Sequence, residues 1–171
     1  MTSLLDMLRS HGPPPERRSL VVLLAFVAVC LGVSFIGAAI TYSSTDTWYP
    51  GLLKPAFTPP DWVFAPVWTT LYLMMAVAAW RIWSHGGRPE VAVALACFGV
   101  QLTLNLLWTV LFFGLRSPGL ALIEIVVLLA AIAVTTVAFF RVDRIAGWLF
   151  VPYLAWTLFA AALVLGIWHL N

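Results

Sequence analysis

Apolar residues occur along the chain in five long runs, separated by short stretches that carry most of the charges, prolines and glycines. The runs cover approximately residues 20–43, 62–82, 91–115, 118–140 and 145–168. Each run reaches the roughly 17–20 residues that a helix needs to cross the hydrocarbon core of a bilayer. Because a spanning segment must satisfy its own backbone hydrogen bonds, we predict an all-α membrane protein with five transmembrane helices.

The connections between these runs predict how the helices are arranged. Residues 84–89, 116–119 and 141–144 are short links, so consecutive helices must run antiparallel, and residues 20–171 are predicted to form one bundle. We predict a flexible cytoplasmic tail for residues 1–19, which contain three consecutive prolines and both signs of charge. A cleaved signal peptide is the alternative, but the apolar run after Arg18 exceeds the roughly 7–15 residues usual for one.

The composition agrees with a membrane protein and excludes a soluble globular protein. Hydrophobic residues make up 63% of the chain and charged residues 9%, against about 45–50% and 25% in soluble domains. A net charge of +2 gives no reason to expect a nucleic-acid partner. The two cysteines, Cys30 and Cys97, lie in separate apolar runs. We therefore expect them to be core residues, and we predict no metal site.

The basic residues predict the orientation in the membrane. Seven arginines fall on the side of the N-terminus, whereas Lys54 and Arg116 fall on the opposite side. The seven are Arg9, Arg17, Arg18, Arg81, Arg88, Arg141 and Arg144. Since cytoplasmic loops are enriched in lysine and arginine, the N-terminus is predicted to be cytoplasmic.

The connection between the first two spans is unusually rich in proline and aromatic residues. Its prolines and aromatics are Trp48, Tyr49, Pro50, Pro55, Phe57, Pro59, Pro60, Trp62, Phe64 and Pro66. The prolines exclude a regular helix over most of the stretch. Long connections in compact proteins are usually functional or disordered. The segment is therefore interpreted as a lid over one mouth of the bundle, with an interfacial aromatic belt as the alternative.

Three spans carry polar or aromatic residues at helical spacing. They are Phe64, Trp68, Tyr72 and Met75 in span two, Gln101, Asn105, Trp108 and Phe112 in span three, and Tyr153 and Trp156 in span five. Amide side chains in hydrocarbon are expected to face other helices rather than lipid. The faces either line a small-molecule pocket with aromatic walls or simply fill the core of the bundle.

Glu124 is the only acidic residue inside a predicted span. Carboxyl groups within the membrane are costly and usually mark a functional site. The other interpretation is a protonated glutamic acid that is hydrogen-bonded to a neighbouring helix, and the sequence does not decide between the two.

Several motifs together resemble one family. The first is Trp48-Tyr49-x-x-Leu52-x-Lys54-Pro55-x-Phe57-x-Pro59-Pro60-x-x-Val63-Phe64-x-Pro66-x-Trp68-x-x-Leu71-Tyr72. The others are Gln101-Leu102-x-x-Asn105-x-x-Trp108-x-x-x-Phe112-Phe113, Val151-Pro152-Tyr153-x-x-Trp156-x-x-Phe159-Ala160 and Ile167-Trp168-x-Leu170-Asn171. This pattern resembles the TspO/MBR family of tryptophan-rich sensory and translocator proteins, in a bacterial-type member.

The resemblance implies a ligand and a set of residues that bind it. Family members bind porphyrins and haem in a pocket of the bundle. The positions implied here are Trp68, Tyr72, Asn105, Trp108 and Trp156 in the pocket, with Trp48 and Pro55 in the lid. We expect the tetrapyrrole to be a reversible ligand and no cofactor to be tightly bound, because His11, His85 and His169 lie outside the bundle core. The resemblance also implies a homodimer in the lipid of a bacterial cell membrane.

Three functions remain open at this point. The first is a receptor or carrier for tetrapyrroles with a regulatory role. The second is light- and oxygen-dependent porphyrin degradation, in which Trp68 and Trp156 would take part in electron transfer. The third is a small-molecule transporter, for which Glu124 would be the proton carrier.

Overall fold

The computed structural model describes residues 15–45 and 47–171, and this part of the chain is predominantly helical, without strands. The five long helices are α1 (Pro15–Thr45), α2 (Phe64–Ser84), α3 (Pro89–Thr109), α4 (Pro118–Val142) and α5 (Arg144–Leu170). All five are long and apolar enough to cross a membrane. The prediction of an all-α, five-span protein is confirmed. Residues 1–14 of the predicted tail lie outside the described residues, and α1 begins at Pro15.

The helix starts follow from local sequence. Pro89 and Pro118 occupy the first turns of α3 and α4, where the missing N–H of proline has no helical partner to lose. Asp143 caps α5, accepting hydrogen bonds from the backbone N–H of Ile145 at 2.7 Å and of Ala146 at 3.1 Å. The short links therefore end one helix and begin the next within a few residues.

The helices form a closed ring in the order α1, α2, α5, α4, α3, and each packs against its two neighbours in that ring. The links between α2 and α3 and between α4 and α5 lie at one end of the bundle. The connections from α1 to α2 and from α3 to α4 lie at the other end, which we call the loop end. The C-terminus of α5 also reaches the loop end, so three separate stretches of chain meet there.

A short π-helix, Val110–Gly114, continues α3 at the loop end. The hydroxyl of Ser44 in α1 donates a hydrogen bond of 2.6 Å to the carbonyl oxygen of Phe113. This contact ties α1 to the widened turn. π-Turns inside helices frequently occur at functional sites because they change the direction in which side chains point.

An ion pair stabilises the end of the bundle that lies opposite the loop end. The Arg81 guanidinium donates to the Asp143 carboxylate at 2.8 Å, and His85 Nε2 lies 3.7 Å from the same oxygen. Burial alone would raise the pKa of Asp143, but hydrogen bonds from Ala146, Arg81 and Ile145 lower it below its ordinary value. Asp143 therefore remains ionised in the folded protein and stabilises both the start of α5 and the end of α2.

Candidate functional site

A polar bridge joins three helices in the centre of the bundle. The Tyr72 hydroxyl in α2 donates to Oδ1 of Asn105 in α3. The Asn105 amide nitrogen in turn donates to the hydroxyl of Tyr153 in α5 at 3.0 Å. All three side chains are buried, with exposed fractions of 5%, 3% and 0%. One carboxamide therefore fixes two phenol groups that come from different helices.

Aromatic rings extend this bridge towards the loop end. The Trp68 ring centroid lies 5.9 Å from that of Tyr72 and 6.3 Å from that of Tyr153. One turn nearer the loop, Phe64 pairs edge-on with Trp156 at 5.9 Å. The structure thus brings five of the predicted site residues from α2 and α5 into an aromatic wall, in which Trp68 contacts both tyrosines and Phe64 contacts Trp156.

On the side of the bridge away from the loop end, Gln101 lies fully buried, and its amide nitrogen is 3.9 Å from the sulfur of Met75. Its Oε1 atom has no hydrogen-bond partner among the described residues. Within the same described ranges, the indole nitrogens of Trp108 and Trp156 are also buried without a partner. Buried polar atoms are nearly always paired in native proteins. These atoms are therefore available to a bound molecule.

Glu124 lies on α4 with 7% of its surface exposed. Neither carboxyl oxygen has a hydrogen-bond partner in the part of the chain that the structure describes. The described residues therefore provide no partner for Glu124 on a neighbouring helix, which the second interpretation of this residue requires. The Glu124 carboxyl oxygens are therefore, like Gln101 Oε1, buried acceptors without a partner among the described residues.

A second aromatic cluster lies at the loop end, around the π-helix. Trp108 stacks on Phe112 with ring centroids 5.2 Å apart, and Trp48 of the loop packs edge-on against Phe112 at 5.6 Å. Tyr49 contacts Phe113 at 5.7 Å and carries Lys54 Nζ over its ring at 4.1 Å. The loop therefore packs against α3 instead of extending into solvent. Burial and then the charge of Asp61 raise the pKa of Tyr49, so this phenol stays neutral.

An open groove of about 600 Å³ lies at the loop end, next to this cluster. It runs between the loop, the α3–α4 link and the end of α5. Its lining residues are Trp48, Leu52, Arg116, Ser117, Pro118, Gly119, Trp168 and Asn171. Its volume lies within the range of roughly 300–1,000 Å³ that is usual for small-molecule sites.

Nine of the eleven predicted site residues fall into two groups, and Pro55 and Glu124 lie outside both. Phe64, Trp68, Tyr72, Asn105, Tyr153 and Trp156 form the aromatic wall and its bridge. Gln101 lies one turn before Asn105 in α3. Trp48 and Trp108 belong to the loop-end cluster. Pro55 packs against Gly166 of α5. The groove residues Arg116, Gly119 and Trp168 were not predicted, because they lie in a link and at a helix end where helical spacing gives no signal.

The geometry defines a helical integral membrane protein whose core is lined with aromatic rings and a few polar atoms that have no partner among the described residues. A family model described as the TspO/MBR family matches residues 26–169. The chain is 41% identical over 155 residues to the tryptophan-rich protein TspO of Chlorobaculum tepidum, covering 90% of this chain and 98% of that protein. It is 40% identical over 139 residues to the human translocator protein, covering 80% and 82% respectively. The chain belongs to the TspO/MBR family.

A third relative is similar over nearly its whole length. The tryptophan-rich protein TspO of Archaeoglobus fulgidus is 40% identical over 153 residues, covering 90% of this chain and 99% of that protein. The resemblance seen in the sequence motifs is therefore confirmed. The orientation in the membrane, the homodimer and the membrane of residence stay predictions.

Proposed function

We propose that the protein is a membrane receptor that reversibly binds a tetrapyrrole, either a porphyrin or haem, in its helix bundle. The observation that carries this proposal is the set of buried polar atoms that lack partners among the described residues. They are Gln101 Oε1, Trp108 Nε1, Trp156 Nε1 and both carboxyl oxygens of Glu124. A ligand that supplied those partners would remove a cost of roughly 1–3 kcal/mol per group.

The chemistry of these atoms suits a tetrapyrrole. Its flat apolar ring can stack on the faces of Trp68 and Trp156. The pyrrole N–H groups of a metal-free porphyrin can donate to Gln101 or Glu124, and the carboxylates of either a porphyrin or haem can accept from an indole N–H. Because the rings of the wall contact one another, binding requires these side chains to separate. The names of relatives, such as the translocator protein of Homo sapiens and the tryptophan-rich sensory protein of Cereibacter sphaeroides, are consistent with a receptor.

The test is a titration of protoporphyrin IX into the detergent-solubilised protein in the dark, followed by tryptophan quenching. We expect saturable binding to one site. Trp156→Phe keeps the aromatic ring and removes the indole N–H, so we expect affinity to fall roughly twofold to tenfold. The matched control is Trp148→Phe, since Trp148 is 61% exposed and lies at the opposite end. Linear quenching that is the same in both variants would refute the proposal.

Porphyrin degradation is the second candidate, because Trp68 contacts the rings of both Tyr72 and Tyr153. Such contacts suit electron transfer to a light-excited ligand. Illuminating the complex with and without oxygen distinguishes the two functions. A new absorbance band that needs light and oxygen, and is lost in Trp68→Phe while dark binding persists, would favour the enzyme. Transport would instead be favoured if Glu124→Gln abolished porphyrin flux into vesicles without loss of binding.

A further inference from the structure

The α1–α2 loop is attached to the bundle in two different ways. Its first part, Trp48 and Tyr49, packs its rings against Phe112 and Phe113 of the π-helix. Its second part, residues 53–57, lies against α5. Leu53 and Phe57 are themselves 62% and 54% exposed. The first attachment is an aromatic cluster, whereas the second depends on a small number of individual contacts.

The most specific of these contacts comes from Asn171. Its Oδ1 accepts a hydrogen bond of 3.0 Å from the backbone N–H of Leu53, and its Nδ2 donates to the Leu53 carbonyl, also at 3.0 Å. Nδ2 donates a third bond of 2.8 Å to the carbonyl of Ile167, which fixes the side chain on the last turn of α5. The carboxamide thus pairs with both backbone groups of one loop residue.

Two apolar contacts lie beside this pair. Pro55 packs directly on Gly166, where a Cβ atom would overlap the proline ring. Phe57 meets Phe159 edge-on with ring centroids 6.3 Å apart. Pro50, Pro55, Pro59 and Pro60 restrict the backbone. We therefore expect this part of the loop to move as a stiff unit.

The open groove lies at the same place. Leu52 of the loop and Asn171 both line it, so the hydrogen-bonded Leu53–Asn171 pair lies at the edge of the groove. Separating Leu53 from Asn171 would widen the groove and free the carboxamide. A ligand carboxylate could then accept from Asn171 Nδ2 in place of the Leu53 carbonyl.

We propose that Asn171 is a latch: it holds residues 52–57 of the loop closed against α5, and its release opens the groove as the entrance for a carboxylate-bearing ligand. In this proposal Trp48 and Tyr49 stay packed against the π-helix while residues 52–57 move away from α5. The ligand in this inference rests on the proposed function, but the latch itself is tested without any ligand.

Hydrogen–deuterium exchange in lipid nanodiscs provides the test. Between residues 51 and 57 only Pro55 lacks an amide, so the Leu53 amide can be followed directly. In Asn171→Ala its exchange should become about tenfold faster or more, because its acceptor is lost. Asn171→Asp keeps an acceptor for the Leu53 N–H and should give an intermediate rate. Leu170→Ala is the matched control, since Leu170 is 45% exposed on the same turn.

Gly166→Ala supplies a second, independent perturbation. The added Cβ displaces Pro55 and with it the nearby Leu53, so the Leu53–Asn171 hydrogen bonds should weaken and Leu53 exchange should rise although Asn171 is unchanged. If Asn171→Ala also raises exchange throughout α3, its whole bundle has loosened. In that case Gly166→Ala becomes the test of the latch. Unchanged Leu53 exchange in a folded Asn171→Ala variant, or in Gly166→Ala when that variant is the test, would overturn the latch.

Stopped-flow binding of protoporphyrin IX tests the link to the ligand. Association and dissociation should both become several-fold faster in Asn171→Ala, with the equilibrium affinity changed less than either rate. Faster Leu53 exchange together with no porphyrin binding by the wild-type protein would reject the proposed function and leave the latch intact. Faster exchange with unchanged binding rates would show that the ligand enters elsewhere and would overturn the entrance.

Discussion

Replacing Asn105 with leucine is expected to destabilise the whole bundle through two tyrosines on other helices. Asn105 is 3% exposed and is the hydrogen-bond partner of both Tyr72 and Tyr153. Leucine has a similar volume, so the substitution removes hydrogen bonds without leaving a large cavity. Both phenol hydroxyls then remain buried in an apolar environment.

The magnitude follows from the two bonds. Hydrogen bonds between helices in membranes contribute about 0.6 kcal/mol on average and up to about 1.7 kcal/mol. Two of them give a loss of roughly 1–3 kcal/mol in the free energy of unfolding. Equilibrium unfolding by SDS in mixed micelles, followed by circular dichroism, measures this quantity. The matched control is Thr103→Ala, because Thr103 is exposed on the same helix and its hydroxyl bonds to the carbonyl of Gly99 one turn away.

A rescue experiment distinguishes hydrogen bonding from a change in packing. Tyr72→Phe and Tyr153→Phe, added to Asn105→Leu, remove the two hydroxyls that the first change left unpaired. Removing all partners of a buried polar group can be nearly neutral, so the triple variant should recover most of the lost stability. If Asn105→Leu unfolds like the wild type, or the triple variant is less stable than Asn105→Leu, the bridge is not a source of stability.

Three further predictions concern helix ends and links. Gly147→Ala places a Cβ atom against the ring of Phe140 and should lower the free energy of unfolding by about 1–3 kcal/mol. Adding Phe140→Ala should relieve the clash, and a double variant that is no more stable than Gly147→Ala would contradict this explanation. Arg116 has a φ of 54°, so Arg116→Gly should raise the melting temperature by removing left-handed strain of about 1 kcal/mol, and Arg116→Ala, which keeps the strain, should not. The pKa of Asp143 is lowered in the fold, so its stabilisation is present above its unfolded pKa of about 4 and is lost as the pH falls through the folded value. Asp143→Asn should therefore lower stability by about 1 kcal/mol at pH 7, and the difference from the wild type should shrink in melting curves below about pH 4; a difference that is constant with pH would refute the ion pair with Arg81.

The sequence predicted the elements well because their signals are local. Uninterrupted apolar runs and the need to satisfy backbone hydrogen bonds require helices, and Pro89 and Pro118 mark two of the starts. The first helix nevertheless begins at Pro15, before the apolar run at residue 20. Polar residues can continue a helix beyond the bilayer, so hydropathy indicates the spanning length but not the end of the helix.

Helical spacing also placed the polar and aromatic residues on the correct faces. It grouped Gln101, Asn105, Trp108 and Phe112, and the structure buries Gln101, Asn105 and Phe112. Spacing within one helix cannot say which residue of another helix lies opposite. It therefore gave no indication that Asn105 would bond to Tyr72 and Tyr153 at the same time.

The number of helices, their membrane-spanning lengths, their order and the faces that avoid lipid all follow from the sequence, because the underlying signals are local. Which faces meet depends on the packing of the five helices. This packing paired Asn171 with Leu53, 118 residues away, and left Glu124 buried without a partner among the described residues. It also formed the groove from three distant stretches of chain. These features depend on distances between segments that are remote along the chain, and such distances are fixed only when the ring of helices closes.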